Sequence, residues 1–231
     1  MPGRLAIDFG TSHTVLAVWD AARSGATSMH ISGYSSLRQQ GDEQISIIPS
    51  VIHYTADRRQ WIGQQVLDRN LYHSPGTFRW MKRYIGNRSM MKRQVNGREI
   101  AFPDAGRDFL STVLLFASEE LSIGDEEVAL TLPVEAFEHY EDWLTGVVEA
   151  AGIRRFRMIN EPSAAALGYG AHIQPGDVYL IFDFGGGTLD VAIVLIEEFE
   201  QMQSGKRCRV LGKAGADVGE HPLISGSFRK C

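Results

Sequence analysis

The stretch Phe182-Asp183-Phe184-Gly185-Gly186-Gly187-Thr188 has a shorter counterpart, Ile7-Asp8-Phe9-Gly10-Thr11, at the other end of the chain. In both, an aspartate lies near the end of a β-rich run, and a glycine turn with a threonine leads into a second β-rich run. The pattern predicts two β-hairpins. Because glycine lets the backbone approach a ligand closely, the N–H groups of such turns can line an anion-binding concavity. The aspartates are well placed to hold a hydrated cation, so two such turns facing each other would clamp a polyphosphate and its metal.

Composition and charge narrow the class of protein. The 231 residues are 44% hydrophobic, which is enough for a core, and the net charge of −5 gives no general attraction to nucleic acid. A basic stretch from Arg79 to Arg98 favours a solvated face over a phosphate or nucleic-acid contact. Cys208 and Cys231 have no metal-ligand spacing, which indicates a reducing compartment. Since neither a signal peptide nor an apolar run of membrane length is visible, we expect a cytoplasmic protein without membrane or nucleic-acid partners.

Hydrophobic periodicity predicts an α/β fold, because strand and helix signals alternate in mixed order. From Gly215 onward neither period is present, and the tail is predicted to be unstructured. The other predicted elements are strands at 45–48 and 51–54, a helix at 107–122, a strand at 128–132, a helix from about 135 to 151, a strand at 158–160, a helix from 161 to about 170, and strands at 178–182, 190–196 and 208–211.

Two charged residues are candidates for chemistry. Glu161 begins a predicted helix that Asn160 can cap and that carries Pro162 in its first turn. At that position its carboxylate could face a cleft and orient a water, although a plain capped helix with small residues for tight packing fits the same pattern. Lys82, taken alone, is typical of a surface charge.

Several motifs together resemble the N-terminal ATPase region of the seventy-kilodalton heat-shock chaperone family, within the actin-like ATPase superfamily. They occur in the family's order over roughly residues 4–213. Besides the two turn sequences, the motifs are Ile48-Pro49-Ser50, Lys82-Arg83-Tyr84-Ile85-Gly86, Leu132-Pro133-Val134, the run from Asn160 to Gly170, and Thr188-Leu189-Asp190-Val191.

The resemblance implies an actin-like, ribonuclease H-like lobe in which helices flank a mixed sheet. This lobe would occupy residues 1–174, with a small subdomain at about 41–106. Residues 175–213 would begin an incomplete second lobe. Residues 214–231 would be an aberrant or disordered tail, left by a truncation or a shifted reading frame.

The same resemblance implies a role for each site residue. Lys82 and Glu161 would position the attacking water and stabilise charge on the transferred phosphoryl group, and Asp183 would share in catalysis. Asp8 and Asp183 would hold Mg²⁺ through its waters, with Asp190 just beyond them. Two phosphate loops would bind ATP or ADP, the first with Gly10, Thr11, Ser12 and His13, and the second with Gly185, Gly186, Gly187 and Thr188.

By this resemblance the chain is a Mg-dependent, chaperone-like ATPase. As an N-terminal fragment it would hydrolyse ATP poorly, and unfolded clients or co-chaperones would be partners of the full-length relative. We also expect self-association, because apolar strands within 178–211 would lack their covering helices. Two alternatives from the same superfamily remain open: an actin-like filament protein and a small-molecule kinase.

Overall fold

The computed structural model describes residues 5–22, 24–121, 126–133, 138–168, 174–184, 188–197 and 208–217. The chain forms two compact units, Met1–Ala164 and Ala165–Cys231. Strands and helices follow one another in mixed order, which confirms the predicted α/β class.

A seven-stranded mixed sheet is the centre of the first unit. Its strands are β1 Leu5–Phe9, β2 His13–Asp20, β3 Gly25–Ser28, β4 Ser36–Gln40, β5 Glu43–Pro49, β11 Val128–Leu132 and β12 Phe156–Asn160. The order across the sheet is β12-β11-β1-β2-β5-β4, with β3 beside β2. β11 lies parallel to β1 and to β12, and the other pairs are antiparallel. The first predicted hairpin is confirmed, since β1 and β2 pair with Asp8 opposite Val15 and Phe9 opposite Thr14.

Between β5 and β11 the chain forms a second, smaller layer. It contains the antiparallel sheet β7-β6-β8, the hairpin β9–β10 and two short helices. Their bounds are β6 Val51–Tyr54, β7 Gln60–Ile62, α1 Gln64–Asp68, β8 Thr77–Arg79, α2 Met81–Gly86, β9 Lys92–Val95 and β10 Arg98–Ala101. The predicted strands at 45–48 and 51–54 are confirmed as parts of β5 and β6. A separate subdomain at 41–106 stays a prediction.

Three longer helices follow: α3 Phe102–Leu121, α4 Glu138–Ala150 and α5 Glu161–Gly168. α3 begins five residues before the predicted start at 107. The reason is that Pro103 fits the first turn of a helix, where its missing N–H is not needed, and that Phe102 is fully buried. The predicted start of α4 near 135 and the predicted end of α5 near 170 lie outside the described residues.

The core of the first unit lies between the seven-stranded sheet and helices α3 and α4. Leu5, Ile7 and Phe9 alternate along β1 and are all buried. The Phe9 ring lies 5.9 Å from the Phe109 ring of α3 and 5.9 Å from the Trp143 ring of α4. Because neighbouring strand residues point to opposite faces, Asp8 projects from the other face, where it is exposed.

Gly106 of α3 is the point where α2, α3 and α4 approach closely. A Cβ at this position would lie 2.8 Å from Ile85 Cδ1 of α2 and 3.1 Å from Trp143 Cζ2 of α4. Both distances are shorter than ordinary van der Waals contact, so the absence of a side chain lets the three helices pack together. The position of α2 matters because α2 carries Lys82.

The second unit contains an antiparallel sheet of β13 Val178–Phe184, β14 Thr188–Ile196 and β15 Cys208–Asp217. The second predicted hairpin is thereby confirmed. β15 corrects the expected boundary of the tail, because the strand continues to Asp217 instead of ending at Leu211. Ala216 and Ala214 pair with Leu189 and Val191 through the backbone ladder, which does not depend on large side chains. Residues 218–231 lie outside the described part of the chain.

One face of this sheet exposes a row of apolar side chains. Alternate residues of β13 are about half exposed, namely Val178 at 57%, Leu180 at 56% and Phe182 at 49%. Leu180 lies opposite Ile193 of β14, which is also exposed. In the described part of the chain, no helix combines the length and the hydropathy needed to cross a membrane.

Substitutions of two helical glycines test the close packing of α2, α3 and α4. Gly106→Ala should lower the free energy of unfolding by about 1–3 kcal/mol, because the added methyl group overpacks the contact. Gly146→Ala in α4 is the matched control: a Cβ there meets nothing within 4 Å, so it should raise the free energy of unfolding by about 0.5–1 kcal/mol. Urea unfolding followed by circular dichroism measures both. Stabilisation by both substitutions would contradict the packing.

Candidate functional site

The turn between β1 and β2 is held in a tight shape by its own backbone. The Gly10 N–H donates to the His13 carbonyl at 3.0 Å. A Cβ on Gly10 would lie only 2.2 Å from the same carbonyl oxygen, so this conformation excludes any other residue. Thr11 and Ser12 form the tip of the turn and are partly exposed, in a position from which they can meet a ligand.

Ser50 fastens this turn to the end of β5. Its N–H donates to the Ser12 carbonyl at 2.9 Å, and its Oγ donates to the Gly10 carbonyl at 2.8 Å. The Thr14 hydroxyl lies 2.9 Å from the same Oγ. Ser50 and Thr14 are both buried, so these bonds are shielded from water. The motif Ile48-Pro49-Ser50 contributed to the family resemblance, and the structure adds this contact with the turn.

Asp8 is exposed, and its carboxylate is oriented by the neighbouring strand β11. The Thr131 hydroxyl donates to Asp8 Oδ1 at 2.7 Å. The parallel register explains the contact, because Ile7 lies beside Leu130 and the next residues of the two strands are Asp8 and Thr131. A carboxylate is a hard oxygen donor of the kind Mg²⁺ prefers, so Asp8 fits one side of a hydrated magnesium site. Among the described residues, no three His, Cys, Asp or Glu side chains cluster as a metal site.

Lys82 and Glu161 meet inside the first unit, although Lys82 alone resembled a surface charge. Lys82 Nζ donates to Glu161 Oε1, and the two side chains are only 10% and 17% exposed. Burial alone lowers the pKa of Lys82, but interactions with Tyr140, Glu161 and Asp8 outweigh it and raise the pKa above its ordinary value. Lys82 is therefore an ammonium ion at neutral pH. Its charge is balanced by Glu161 in the pair and by Asp8 nearby.

Helix α2 holds Lys82 in place through contacts on both sides. Met81, which precedes Lys82, and Ile85, about one turn further along the helix, are buried in the core. His139 of α4 places its Nε2 3.0 Å from the carbonyl oxygens of both Ile85 and Gly86. Two carbonyls can only accept, so Nε2 carries the proton and donates to them. This contact ties α4 to the carboxyl end of α2, where the Ile85 carbonyl also accepts from the Arg88 N–H.

His13 begins β2 and meets Arg38 of β4. Arg38 Nη2 lies 3.1 Å from His13 Nε2. A guanidinium can only donate, so this hydrogen bond assigns the neutral tautomer of His13 with its proton on Nδ1. Burial, and in second place the positive charge of Arg38, lower the pKa of His13 below its ordinary value of 6.5.

The second turn belongs to the other unit. Asp183 is an exposed residue of β13 and lies opposite Asp190 of β14 in the strand register. Gly185, Gly186 and Gly187 lie outside the described residues, as do the side chains of Thr188 and Asp190. The roles inferred for them from the resemblance stay predictions.

Comparisons with known proteins show which protein family this chain is similar to. A family profile described as Hsp70 protein matches residues 144–204. The chaperone protein dnaK of Guillardia theta is 27% identical over 81% of this chain and 32% of its own length. The DnaK of Deinococcus radiodurans is 26% identical over the whole chain, and the HscA homologue of Bordetella petrii is 28% identical over 96% of it. These matches support an Hsp70-family ATPase region in this chain. The resemblance drawn from the motifs is thereby confirmed.

The chain spans about a third of the length of the curated relatives it matches, namely 32–38%. The residues of this Hsp70-family region that sequence reasoning missed all act across long sequence separations. They are Ser50 below the first turn, Thr131 beside Asp8, and His139 and Tyr140 next to α2. Thr131 was the most accessible to prediction, since a polar residue within the apolar strand 128–132 indicates a contact at one face.

The pKa of His13 predicts how the stability of this Hsp70-family region depends on pH. Because the folded-state pKa is lowered, the unfolded chain takes up this proton first as the pH falls. The contribution of His13 is therefore complete above about pH 6.5 and declines below it, down to the folded-state pKa. His13→Asn, which keeps an acceptor for Arg38, should flatten the loss of unfolding free energy between about pH 6.5 and pH 5.

Urea unfolding at several pH values measures this slope. His53, whose pKa burial also lowers, should keep part of the slope in the variant. An identical pH dependence in the variant and the parent would contradict the assignment of His13.

Proposed function

We propose that this Hsp70-family region binds ATP or ADP with Mg²⁺ and, by itself, hydrolyses ATP slowly. The observation that carries the proposal is the buried Lys82–Glu161 pair, which interacts electrostatically with Asp8 in the same unit as the first turn. A buried ion pair adds little net stability, because removing two charges from water costs about as much free energy as their attraction gains. A fixed ammonium and a fixed carboxylate are, however, the groups that phosphoryl transfer to water needs.

The other roles in the proposal follow the family's motifs. Gly10, Thr11, Ser12 and His13 bind the phosphates from the first turn, and Gly185, Gly186, Gly187 and Thr188 bind them from the second. By the family's motifs, Asp8 and Asp183 would hold Mg²⁺ through its waters, with Asp190 just beyond them. When bound, Mg²⁺ would neutralise charge on the β- and γ-phosphates.

In the proposed reaction, Lys82 and Glu161 position the attacking water and stabilise charge on the phosphoryl group. A water oxygen forms a bond to the γ-phosphorus while the bond from that phosphorus to the β–γ bridging oxygen breaks, giving ADP, inorganic phosphate and a proton. Glu161 orients the water through its carboxylate, and the Lys82 ammonium stabilises the charge that spreads over the phosphoryl oxygens. No covalent intermediate with the protein is needed.

We also propose a biological role and a cellular compartment for this activity. The relatives are named as chaperones, and we propose chaperone work for the whole protein, with unfolded proteins or co-chaperones as its partners. Two cysteines in 231 residues fit a reducing compartment, for which we propose the cytoplasm.

A pair of substitutions separates binding from chemistry. Glu161→Gln should leave the dissociation constant for Mg-ATP within about twofold of the parent and lower the single-turnover rate of hydrolysis by about 100-fold or more, because it removes a contact made in the transition state. Asp183→Ala should instead abolish the Mg-dependent part of binding, since it removes a carboxylate from the metal. Titration calorimetry and rapid-quench kinetics measure the two quantities. If both variants bound and hydrolysed ATP like the parent, the site would be misassigned.

The exposed apolar row on β13 supports self-association of the chain. Val178, Leu180 and Phe182 lie on one face of the sheet with Ile193, and an exposed apolar patch of this kind favours pairing with another surface. Size-exclusion chromatography with light scattering should show oligomers whose fraction grows with concentration. Leu180→Glu should shift the chain toward monomer, while Leu37→Glu, at a similarly exposed leucine of β4, should not. A parent that stays monomeric would refute the self-association.

A further inference from the structure

Tyr140 of α4 places a hydroxyl in the interior, where it has no hydrogen-bond partner in the described part of the chain. The residue is 1% exposed, and its hydroxyl has no hydrogen bond to any of the residues that the structure describes. Buried tyrosine hydroxyls are usually paired with protein or ordered water. The hydroxyl of Tyr140 is therefore available, as far as the described residues show, to bond a small polar molecule such as water.

The position of Tyr140 is fixed by its neighbours on α4. Its ring contacts the Trp143 ring at 5.8 Å, and Trp143 Nε1 donates to the Pro103 carbonyl at 3.1 Å. The preceding residue, His139, is bonded to the carboxyl end of α2. Tyr140 is thus held from both sides and cannot turn toward solvent to satisfy its hydroxyl.

Tyr140 lies near the Lys82–Glu161 pair, since the preceding residue, His139, is bonded to the end of α2, the helix that carries Lys82. Tyr140 interacts electrostatically with Lys82, Glu161 and Asp8, and burial raises the pKa of the phenol, so that it keeps its proton at neutral pH. An ammonium has three N–H donors, and the one hydrogen bond that Lys82 Nζ makes to the described residues goes to Glu161. Lys82 therefore has donors to share with a small polar molecule, and Tyr140 offers both a donor and an acceptor beside it.

We propose that Tyr140 is a positioning residue whose hydroxyl holds a water against the Lys82–Glu161 pair. The role deepens the proposed ATPase function and rests on it, since this is the water that Glu161 would orient for attack on the γ-phosphorus. Water fits because it can accept from the ammonium, donate to the carboxylate and bond to the phenol at once. The phenol does not touch the phosphate and takes up no proton in the reaction.

A double-mutant cycle tests, in the absence of nucleotide, whether Tyr140 and Glu161 are coupled through a shared water. Tyr140→Phe, Glu161→Gln and the combined variant are compared with the parent by urea unfolding of the whole chain. If the three groups share a water, the fold-change in the unfolding equilibrium constant caused by the double substitution should differ by about threefold or more from the product of the two single fold-changes. Additive effects would overturn the proposal.

Kinetics then separates a positioning role from a structural one. Tyr140→Phe should slow single-turnover hydrolysis of Mg-ATP about tenfold or more with the dissociation constant within about twofold of the parent. The matched control is Tyr54→Phe, which removes another buried phenol hydroxyl, one bonded to Asp108 at 2.8 Å, and should leave the rate unchanged. A Tyr140→Phe variant with the parent's rate would overturn the positioning role. A parent that binds no Mg-ATP while the cycle still shows coupling would refute the proposed function and support the water site.

Discussion

The ion pair between Lys82 and Glu161 joins two parts of the chain that lie 79 residues apart. Both charges are largely removed from water, and each is tolerated because the other is there. Removing one partner of such a pair typically costs about 3–5 kcal/mol, because the remaining charge is left uncompensated. Helix α2, which packs against α4, and the start of α5 are therefore constrained to keep the ammonium and the carboxylate together.

Several local features hold Lys82 and Glu161 in contact. Gly106 has no side chain, which lets α2 approach α3 and α4. His139 donates to the carbonyls at the end of α2, and Met81 and Ile85 anchor the same helix in the core. The other polar groups lie near the ends of strands of the seven-stranded sheet: Thr131 of β11 orients Asp8 of β1, and Ser50, which follows β5, fastens the first turn. A well-packed apolar pair could replace the two charges at no loss of stability, so we attribute them to chemistry.

The elements that could be predicted from sequence are those with a local signal. Both hairpins and the strand Val128–Leu132 follow from β-rich runs and glycine turns, and they are confirmed. α3 begins earlier than predicted, because Pro103 fits the first turn of a helix. β15 runs further than predicted, because backbone pairing tolerates the small residues Ala214 and Ala216. The contacts of Lys82, Ser50 and Tyr140 had no local signal, since each depends on a partner far away in the sequence. Lys82 was assigned a role only through the family resemblance.

We propose that the Lys82–Glu161 pair serves phosphoryl transfer and not the stability of the fold. The most direct measurement is the single-turnover ATP hydrolysis rate of the double variant Lys82→Met/Glu161→Leu, taken together with its free energy of unfolding. We expect the variant to fold with a free energy of unfolding within about 1 kcal/mol of the parent or higher, to bind Mg-ATP still and to have lost hydrolysis. A folded variant that hydrolyses ATP at the parent's rate would contradict it.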